Sequence, residues 1–351
     1  MRNKKEIKIG NIYIGGSNPI RIQSMTNTLT SDVDATIKQI KRLEDIGCEI
    51  IRVAVLDEND ASAIKEIKKH INIPLVADIH FNYKLALLAI EAGADKIRIN
   101  PGNIGSNEYI KMVVDKAKEY HIPIRIGINS GSLEKDLLEK YGHVTAEALI
   151  ESMDRKIKLM EQLDFTDLVL SIKATDIETT IKVNELLDQK YPYPIHIGLT
   201  ESGTILSGSI RSSYCLGVLL NQGIGDTIRV SLNGDPVNEI PTVKEILSMH
   251  NLYTKPTLIC CPTCGRTKYN MVKVVNEIDE FLQTLNTNIK VAVMGCVVNG
   301  PGEAREADLG IAGGINEGLI FKKGEILRKV PENKLVEELK KEILLYIKEC
   351  K

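Results

Sequence analysis

The chain has 351 residues, of which 43% are hydrophobic and 26% are charged, so it can form two domains with the composition of a globular protein. This excludes a small disulfide-stapled scaffold, a fibrous repeat and a disordered chain. The 45 basic residues nearly balance the 47 acidic ones, so net charge gives no reason to expect nucleic acid or an anionic membrane as a partner.

The N-terminal segment, MRNKKEIKIG, is charged and no apolar stretch follows it. No apolar run in the chain approaches the roughly 18 residues that indicate a membrane-spanning helix. The sequence therefore predicts a cytoplasmic protein that does not bind membranes.

Short β-branched runs alternate with amphipathic helical stretches from about residue 20 to about residue 250. The eight predicted strands are IRIQSMT (20–26), EIIRVAV (49–55), PLVADIH (74–80), KIRINPG (96–102), PIRIGIN (123–129), LVLSIKAT (168–175), PIHIGLTES (194–202) and TIRVSLNGD (227–235). A helix can follow each strand, as in SDVDATIKQIKRLEDIG, with Ser31 or Asp32 as the N-cap and Gly47 as the C-cap. Eight such units favour a parallel (β/α)₈ TIM barrel, with an open doubly wound sheet as the alternative.

Two segments depart from this repeat. Residues 130–165 leave room for an extra loop before the next helix, which makes this stretch a candidate lid. After LYTKPT (252–257) the chain gives a CxxC, a helix, a Gly-rich strand region and a final amphipathic helix that is expected to cover a small sheet. We therefore predict a barrel domain at residues 1–252 and a small α+β domain at residues 253–351.

Basic side chains interrupt five of the apolar barrel strands. They are Arg52, Arg98, Arg125, Lys173 and Arg229. A buried charge is costly unless it is paired, and the acids between the first and last residues of the strand runs are Asp78 and Glu201. The excess of cations points to a ligand with several negative charges, such as a diphosphate. The alternative is that helix carboxylates pair with these cations, or that some of them point outward between strand and helix.

Three polar residues near strand ends are candidates for proton transfer. His80 lies two residues after Asp78, so both side chains should project to the same face of the strand. Glu201 is the better acid or base, because it would lie among cations in a pocket. A structural role for each is comparably plausible. The loop GTILSGS (203–209) adds backbone N–H groups that could bind phosphate, which by itself is a weak signal.

Four of the seven cysteines gather in one late segment of the chain, namely Cys260, Cys261, Cys264 and Cys296, whereas Cys48, Cys215 and Cys350 are scattered. Cys261 and Cys264 form a CxxC, and Cys296, which follows the run IKVAV, is the natural third ligand. Cys260 points away from Cys261 in an extended chain, so a carboxylate such as Glu303 is a candidate for the fourth position. The spacing leaves an iron–sulfur cluster and a zinc ion about equally favoured, and a redox dithiol is less so.

Several long motifs occur in order along the chain: LVADIHF, IRINPGNIG, PIRIGIN followed by GSLE, TESG, GIGDTIRVSL, CPTCGR and GCVVNGPGEA. Together they closely resemble the 4-hydroxy-3-methylbut-2-enyl diphosphate synthases, the iron–sulfur enzymes of the methylerythritol phosphate route to isoprenoids, in their compact bacterial two-domain form. The resemblance covers nearly the whole chain, and the plant-type insertion between the two domains is absent.

The resemblance implies a barrel like that of dihydropteroate synthase and a [4Fe-4S] domain. It also implies the two-electron reductive ring opening and dehydroxylation of 2-C-methyl-D-erythritol 2,4-cyclodiphosphate to 4-hydroxy-3-methylbut-2-enyl diphosphate. By match to the family motifs, Cys261, Cys264 and Cys296 hold three irons, and Glu303 is a replaceable ligand of the fourth.

The same match assigns the barrel residues. Those implied to bind the substrate are Arg52, Arg98, Arg125, Asn129, Lys173, Arg229 and Ser231. Glu201 and His80 fall near the substrate carbons, with Glu201 as the preferred proton donor and Asp78 as a further candidate for catalysis. The family also implies a homodimer, in which the cluster domain of one subunit closes the barrel of the other, and a flavodoxin or ferredoxin as the electron donor.

Two other functions fit parts of the sequence. A zinc-dependent barrel enzyme that acts on a phosphorylated substrate would have structural cysteines, and metal identity separates it from the main prediction. An iron–sulfur carrier or redox-responsive binding protein would have no use for a cationic barrel mouth, so ligand binding in the barrel separates that alternative.

Overall fold

The computed structural model describes residues 4–296 and 304–350 and divides the chain into two compact units, Met1–Leu252 and Tyr253–Lys351. Within this described part, no helix is long and apolar enough to cross a membrane.

The first unit contains eight parallel strands. They are β3 Arg21–Met25, β4 Ile50–Ala54, β5 Leu75–Asp78, β6 Lys96–Ile99, β7 Ile124–Asn129, β8 Leu168–Lys173, β9 His196–Ile197 and β10 Thr227–Ile228. Their order in the sheet is β8-β7-β6-β5-β4-β3-β10-β9, and an isolated bridge between Leu170 and Ile195 joins the two ends. The sheet is therefore a nearly closed barrel, which confirms the predicted fold and excludes the open doubly wound alternative.

Helices surround this barrel, and most begin at a side-chain cap. They are α1 Val33–Asp45, α2 Glu58–Lys68, α3 Tyr83–Glu91, α4 Pro101–Ile104, α5 Asn107–Glu119, α6 Lys135–Tyr141, α7 Ala146–Gln162, α8 Ile177–Lys190, α9 Ile205–Asn221 and α10 Glu239–Met249. The carboxylate of Asp32 accepts a hydrogen bond from the backbone N–H of Ala35, so Asp32 rather than Ser31 caps α1. The C-cap of α1 is Ile46, and the predicted Gly47 follows it with a φ of 93°.

Several predicted strands end earlier than their sequence runs suggested. The run 96–102 stops at Ile99, because Asn100 caps the short helix α4, which begins at Pro101. The run 194–202 keeps the two-residue strand β9 and the bridge at Ile195, and the run 227–235 keeps the two-residue strand β10. The segment 130–165 contains a 3-10 turn at Ser130–Ser132 and the helices α6 and α7, so the extra loop carries a short helix of its own.

An N-terminal hairpin, which the sequence analysis missed, packs against the interior of the barrel. Its strands are β1 Ile7–Ile9 and β2 Ile12–Ile14, paired antiparallel. Ile9 and Ile14 are fully buried in a cluster with Val76 and Val169, which lie near the amino ends of their strands. The hairpin therefore packs at the end of the barrel opposite to the carboxyl ends of the strands, where enzyme sites form in this architecture.

In the described part of the second unit, a five-stranded sheet packs with two α-helices. Its elements are β11 Thr257–Cys260, α11 Met271–Leu282, β12 Lys290–Met294, β13 Leu309–Gly313, β14 Glu317–Lys322, β15 Glu325–Pro331 and α12 Leu335–Glu349. The strands follow chain order, parallel from β11 to β13 and antiparallel from β13 to β15. Leu335, Leu339 and Ile343 of α12 are buried in the apolar core of this unit, so the final helix covers the sheet as predicted.

Candidate active site

A cavity of about 250 Å³ lies at the carboxyl ends of the barrel strands. Its lining consists of Met25, Arg52, Asp78, His80, Arg98, Arg125, Gly127, Asn129, Ser171, Lys173, Thr200, Arg229 and Ser231. All seven residues predicted to bind substrate are in this lining, together with Asp78 and His80. The structure thus brings these side chains to one place, although they come from strands far apart in sequence.

Asp78 is almost fully buried and contacts two of the cavity cations. Its Oδ1 accepts a hydrogen bond from Nη1 of Arg98 at 3.1 Å, and its Oδ2 lies 3.4 Å from Nε of Arg52. Nε2 of His80 is 3.9 Å from the same Oδ2. Burial by itself would raise the pKa of Asp78, but the charges of Arg52 and Arg98 lower it to about 2. Asp78 is therefore ionised at neutral pH.

A second buried carboxylate, Glu239, is a residue that the sequence analysis missed. It accepts hydrogen bonds from Nε of Arg229 at 3.0 Å and Nη2 of Arg229 at 2.8 Å, and a third from the hydroxyl of Ser24 at 2.7 Å. The alternative of helix carboxylates pairing with strand cations thus holds for Arg229. The available signal was an acid in the first turn of the helix that follows the strand of Arg229.

Two glycines make room for long cationic side chains inside the barrel. A Cβ atom at Gly127 would lie 2.4 Å from Nε of Arg98, and one at Gly198 would lie 2.5 Å from Nζ of Lys173. No real Cβ atom makes contacts this short. Glycine at these two positions is therefore what allows the cations to lie across the neighbouring strands.

Glu201 lies outside the lining of this cavity, contrary to the expectation of a strand-borne acid in a pocket. It follows the last residue of β9 by four positions, is exposed, and has a φ of 51°. A left-handed backbone at a non-glycine residue is uncommon and is often associated with functional sites. The hydroxyl of Thr175 donates a hydrogen bond of 3.0 Å to Oε2 of Glu201, which orients the carboxylate.

The predicted cysteine ligands follow the carboxyl ends of two neighbouring parallel strands, β11 and β12. Cys261 directly follows β11, and its Sγ accepts a hydrogen bond of 3.1 Å from the backbone N–H of Gly295, one residue before Cys296. Hydrogen bonds from the backbone and side chain of Arg266 lower the pKa of the Cys264 thiol, which favours the thiolate that iron binds. Cys260 is exposed at the end of β11.

Glu303 lies outside the described residues, as does the segment 297–303 between Cys296 and Ala304. Among residues 4–296 and 304–350, no three His, Cys, Asp or Glu side chains are close enough to hold a single metal ion. The chemistry of the donors nevertheless fits an iron–sulfur cluster, since Cys261, Cys264 and Cys296 are free thiols of one small unit and the thiol pKa of Cys264 is lowered.

The chain matches the GcpE TIM-barrel domain over residues 4–244 and the GcpE protein C-terminal domain over residues 257–344. It belongs to the GcpE family. A Bacillus cereus relative is 55% identical over 340 residues, which are 97% of this chain and 92% of the relative. A Bacillus anthracis relative is also 55% identical, over 97% of this chain and 93% of its own length. Both are named 4-hydroxy-3-methylbut-2-en-1-yl diphosphate synthase (flavodoxin), so the family resemblance predicted from the motifs is confirmed.

Solved structures of low sequence identity share the barrel fold with this GcpE-family chain. A dihydropteroate synthase from Stenotrophomonas maltophilia aligns at 14% identity with a TM-score of 0.50, over 70% of this chain and 98% of that one. An N-acetylneuraminic acid synthetase from Leptospira borgpetersenii aligns at 13% identity with a TM-score of 0.52, over 80% of this chain and 98% of that one. At these identities the likeness concerns the fold alone.

Proposed function

We propose that this GcpE-family chain reduces 2-C-methyl-D-erythritol 2,4-cyclodiphosphate to 4-hydroxy-3-methylbut-2-enyl diphosphate in the synthesis of isoprenoids. Relatives that are 55% identical over nearly the whole chain carry the synthase name, so the zinc-dependent alternative is not favoured. The observation that supports this function in the structure is the cationic cavity at the carboxyl ends of the barrel strands.

The charge balance of this cavity suits a diphosphate. Five cations line it, namely Arg52, Arg98, Arg125, Lys173 and Arg229. In the described chain, two buried carboxylates contact members of this group, Asp78 and Glu239. The remaining positive charge is available for the phosphate oxygens, and guanidinium groups bind them through paired hydrogen bonds. Asn129 and Ser231 add neutral polar groups to the same wall.

The proposed conversion consumes two electrons and one proton and releases water. The bond between C2 and the phosphate oxygen breaks, the C3 hydroxyl leaves as water, and a double bond forms between these carbons. No side chain of this protein can deliver electrons to a carbon–oxygen bond, so the reaction needs a redox cofactor. A [4Fe-4S] cluster held by Cys261, Cys264 and Cys296, with Glu303 as the proposed fourth ligand, would supply the electrons.

The pKa of Asp78 narrows the choice of proton donor. With a pKa of about 2, Asp78 holds no proton to donate at neutral pH, so we assign it the task of orienting Arg52 and Arg98. Glu201 and His80 remain as donors. The hydrogen bond from Thr175 and the left-handed backbone hold Glu201 in a defined position, which supports Glu201 as the donor to the departing hydroxyl.

We further propose that the protein is cytoplasmic and homodimeric and accepts electrons from a flavodoxin, with a ferredoxin as the second candidate. The names of the Bacillus relatives support flavodoxin. Leu206, Ile210 and Tyr214 follow one another at four-residue spacing on α9 and are 74%, 63% and 63% exposed, which supports a surface for a second copy of the chain. The mass of the holoprotein in solution tests the dimer.

Turnover of the anaerobically purified holoprotein tests the proposed function. With the cyclodiphosphate and reduced flavodoxin, we expect a linear butenyl diphosphate as the product by mass spectrometry. An Arg98→Met variant should lose most of this activity and bind the substrate more weakly, because Arg98 lines the cavity. A protein with a full complement of iron that leaves the cyclodiphosphate unchanged under these conditions would contradict the proposal.

A further inference from the structure

Beneath the cationic cavity, the barrel holds a layer of polar side chains that the proposed reaction does not use. Lys96 lies two residues before Arg98 on β6, and Gln23 lies two residues before Met25 on β3, so both face the interior nearer the amino ends of the strands. His196 on β9 belongs to the same layer. All three are completely inaccessible to solvent.

Several polar atoms of this layer have no partner among the side chains around them. Among the described residues, Nζ of Lys96 has no hydrogen-bond partner. The same is true of both side-chain polar atoms of Gln23, of Nε2 of His196, and of Nε and Nη1 of Arg125. Buried polar groups in native proteins are almost always paired, and a buried ammonium without a carboxylate is strongly unfavourable. Among the described residues, no carboxylate therefore pairs with an ammonium at Lys96.

The groups that face Lys96 disfavour its charge. Burial lowers its pKa well below the ordinary value, and the positive charges of Arg125 and Arg52 lower it further. Burial also lowers the pKa of the nearby His196, so this imidazole is neutral and adds no further positive charge. The other strands contribute uncharged side chains near this level, namely Gln23, Val76, Val169 and Thr227.

We propose that Lys96 is a reserve cation of the diphosphate site, uncharged in the free protein and protonated when a diphosphate occupies the cavity above it. This inference rests on the proposed function of the cavity. The ligand's negative charge offsets the charges of Arg52 and Arg125, so an ammonium at Lys96 becomes favourable and one proton enters from solvent.

The same arrangement makes Lys96 sensitive to the charge of the ligand. The cyclic diphosphate carries two ionised oxygens, whereas the ring-opened product has a free phosphate end and carries three. A protonated Lys96 favours binding of the more highly charged ligand. This preference comes from the electrostatic field of the ammonium and needs no direct contact with the ligand. Lys96 is thus a positioning residue in the electrostatic sense, not a catalytic residue.

Calorimetric titration of the oxidised holoprotein with the cyclodiphosphate, without reductant, tests the proposal. Measurement in two buffers of different ionisation enthalpy gives the number of protons taken up on binding. The wild-type protein should take up about one proton more than Lys96→Met at a pH between the free and bound pKa values of Lys96. In that range, wild-type affinity should fall as pH rises more steeply than that of Lys96→Met, by up to about tenfold per pH unit. Any dependence left in Lys96→Met belongs to Lys173, whose pKa burial also lowers.

Lys156→Met is the matched control, because Lys156 is also buried but pairs with Glu134 and does not line the cavity. It should retain wild-type proton uptake. Lys96→Arg provides a second variant, whose permanent charge should lower the melting temperature of the free protein and abolish the extra proton uptake. Equal proton uptake in wild type and Lys96→Met at every pH from 6 to 9 would overturn the inference alone. Failure of the wild-type protein to bind the cyclodiphosphate would overturn the inference and the proposed function together.

Discussion

Glu239 and Asp78 are the two buried carboxylates that contact cavity cations in the described chain, and they do so differently. Glu239 holds Arg229 through two hydrogen bonds and is itself held by Ser24. Asp78 lies between Arg52 and Arg98 and contacts each with a different oxygen. Both acids fix the direction of guanidinium groups before a ligand arrives, which reduces the entropy lost on binding.

Replacing Glu239 with glutamine should destabilise the protein and weaken substrate binding. The change leaves the half-buried Arg229 without its charge partner, and breaking a buried pair costs about 3–5 kcal/mol. For a unit of this size we expect the melting temperature to fall by roughly 6–20 °C in thermal unfolding monitored by circular dichroism. Glu139→Gln, an exposed change in the same unit, should leave the melting temperature unchanged. Equal melting temperatures for the two variants would contradict this assignment.

Asp78→Asn should show a destabilisation that depends on pH. Because the pKa of Asp78 is lowered to about 2 in the folded protein, its ionised form contributes stability above the unfolded pKa of about 4. This contribution, about 2 kcal/mol, is lost as pH falls from about 4 towards 2. Unfolding midpoints of wild type and variant, measured from pH 7 down to pH 3, should therefore differ most at neutral pH and converge in acid. A difference that stays constant with pH would show that the charge of Asp78 is not the cause.

Glycines on two barrel segments make room for the long cationic side chains of neighbouring strands. The inward positions of β7 hold Arg125, then Gly127, then Asn129, and the glycine admits the guanidinium of Arg98 from β6. In the same way Gly198, after β9, admits Lys173 from β8. Cavity shape therefore follows from the small residues of one strand as much as from the cations of its neighbour.

Gly127→Ala tests this relation. The new methyl group would displace the guanidinium of Arg98, so substrate affinity should fall by about tenfold or more. Gly131→Ala is the matched control, since nothing lies within 4 Å of a Cβ atom at Gly131. Calorimetric titration with the cyclodiphosphate measures both variants. An equal affinity for both would mean that Arg98 does not bind the ligand from its present position.

The carboxyl end of β11 has two adjacent cysteines, Cys260 and Cys261, and mutation tests which of them binds the cluster. Cys261 is partly buried against the core of the second unit and accepts a hydrogen bond from Gly295, whereas Cys260 is exposed. We therefore expect Cys261→Ser to lose most of its iron and acid-labile sulfide, and Cys260→Ser to retain both. Iron and sulfide analysis after anaerobic purification gives the answer, and loss of the cluster only in Cys260→Ser would overturn the assignment.

At the scale of the whole molecule, the barrel and its cationic interior could be predicted from sequence because βα alternation and charges within apolar runs are local signals. The sequence runs extend beyond the observed strands in two situations. A helix begins at Pro101 within the run 96–102, and the run 194–202 continues without strand pairing from Gly198 onward. The pairing of Glu239 with Arg229 could not be predicted from the sequence, because an acid in the first turn of a helix has the sequence pattern of an ordinary surface residue. The N-terminal hairpin could not be predicted for a similar reason. Ile9 and Ile14 are buried against Val76 and Val169, which lie far along the chain.

The most direct test of the account is the paramagnetic resonance spectrum of the reduced holoprotein with and without the cyclodiphosphate, recorded on samples of known iron content. We expect about four irons per chain, as a [4Fe-4S] cluster requires, and a signal that changes when the substrate is added. That result would show that one protein holds the cluster and binds the substrate close enough to alter the electronic state of the cluster. Zinc in place of iron, or a reduced cluster whose signal ignores the cyclodiphosphate at saturating concentration, would contradict the account.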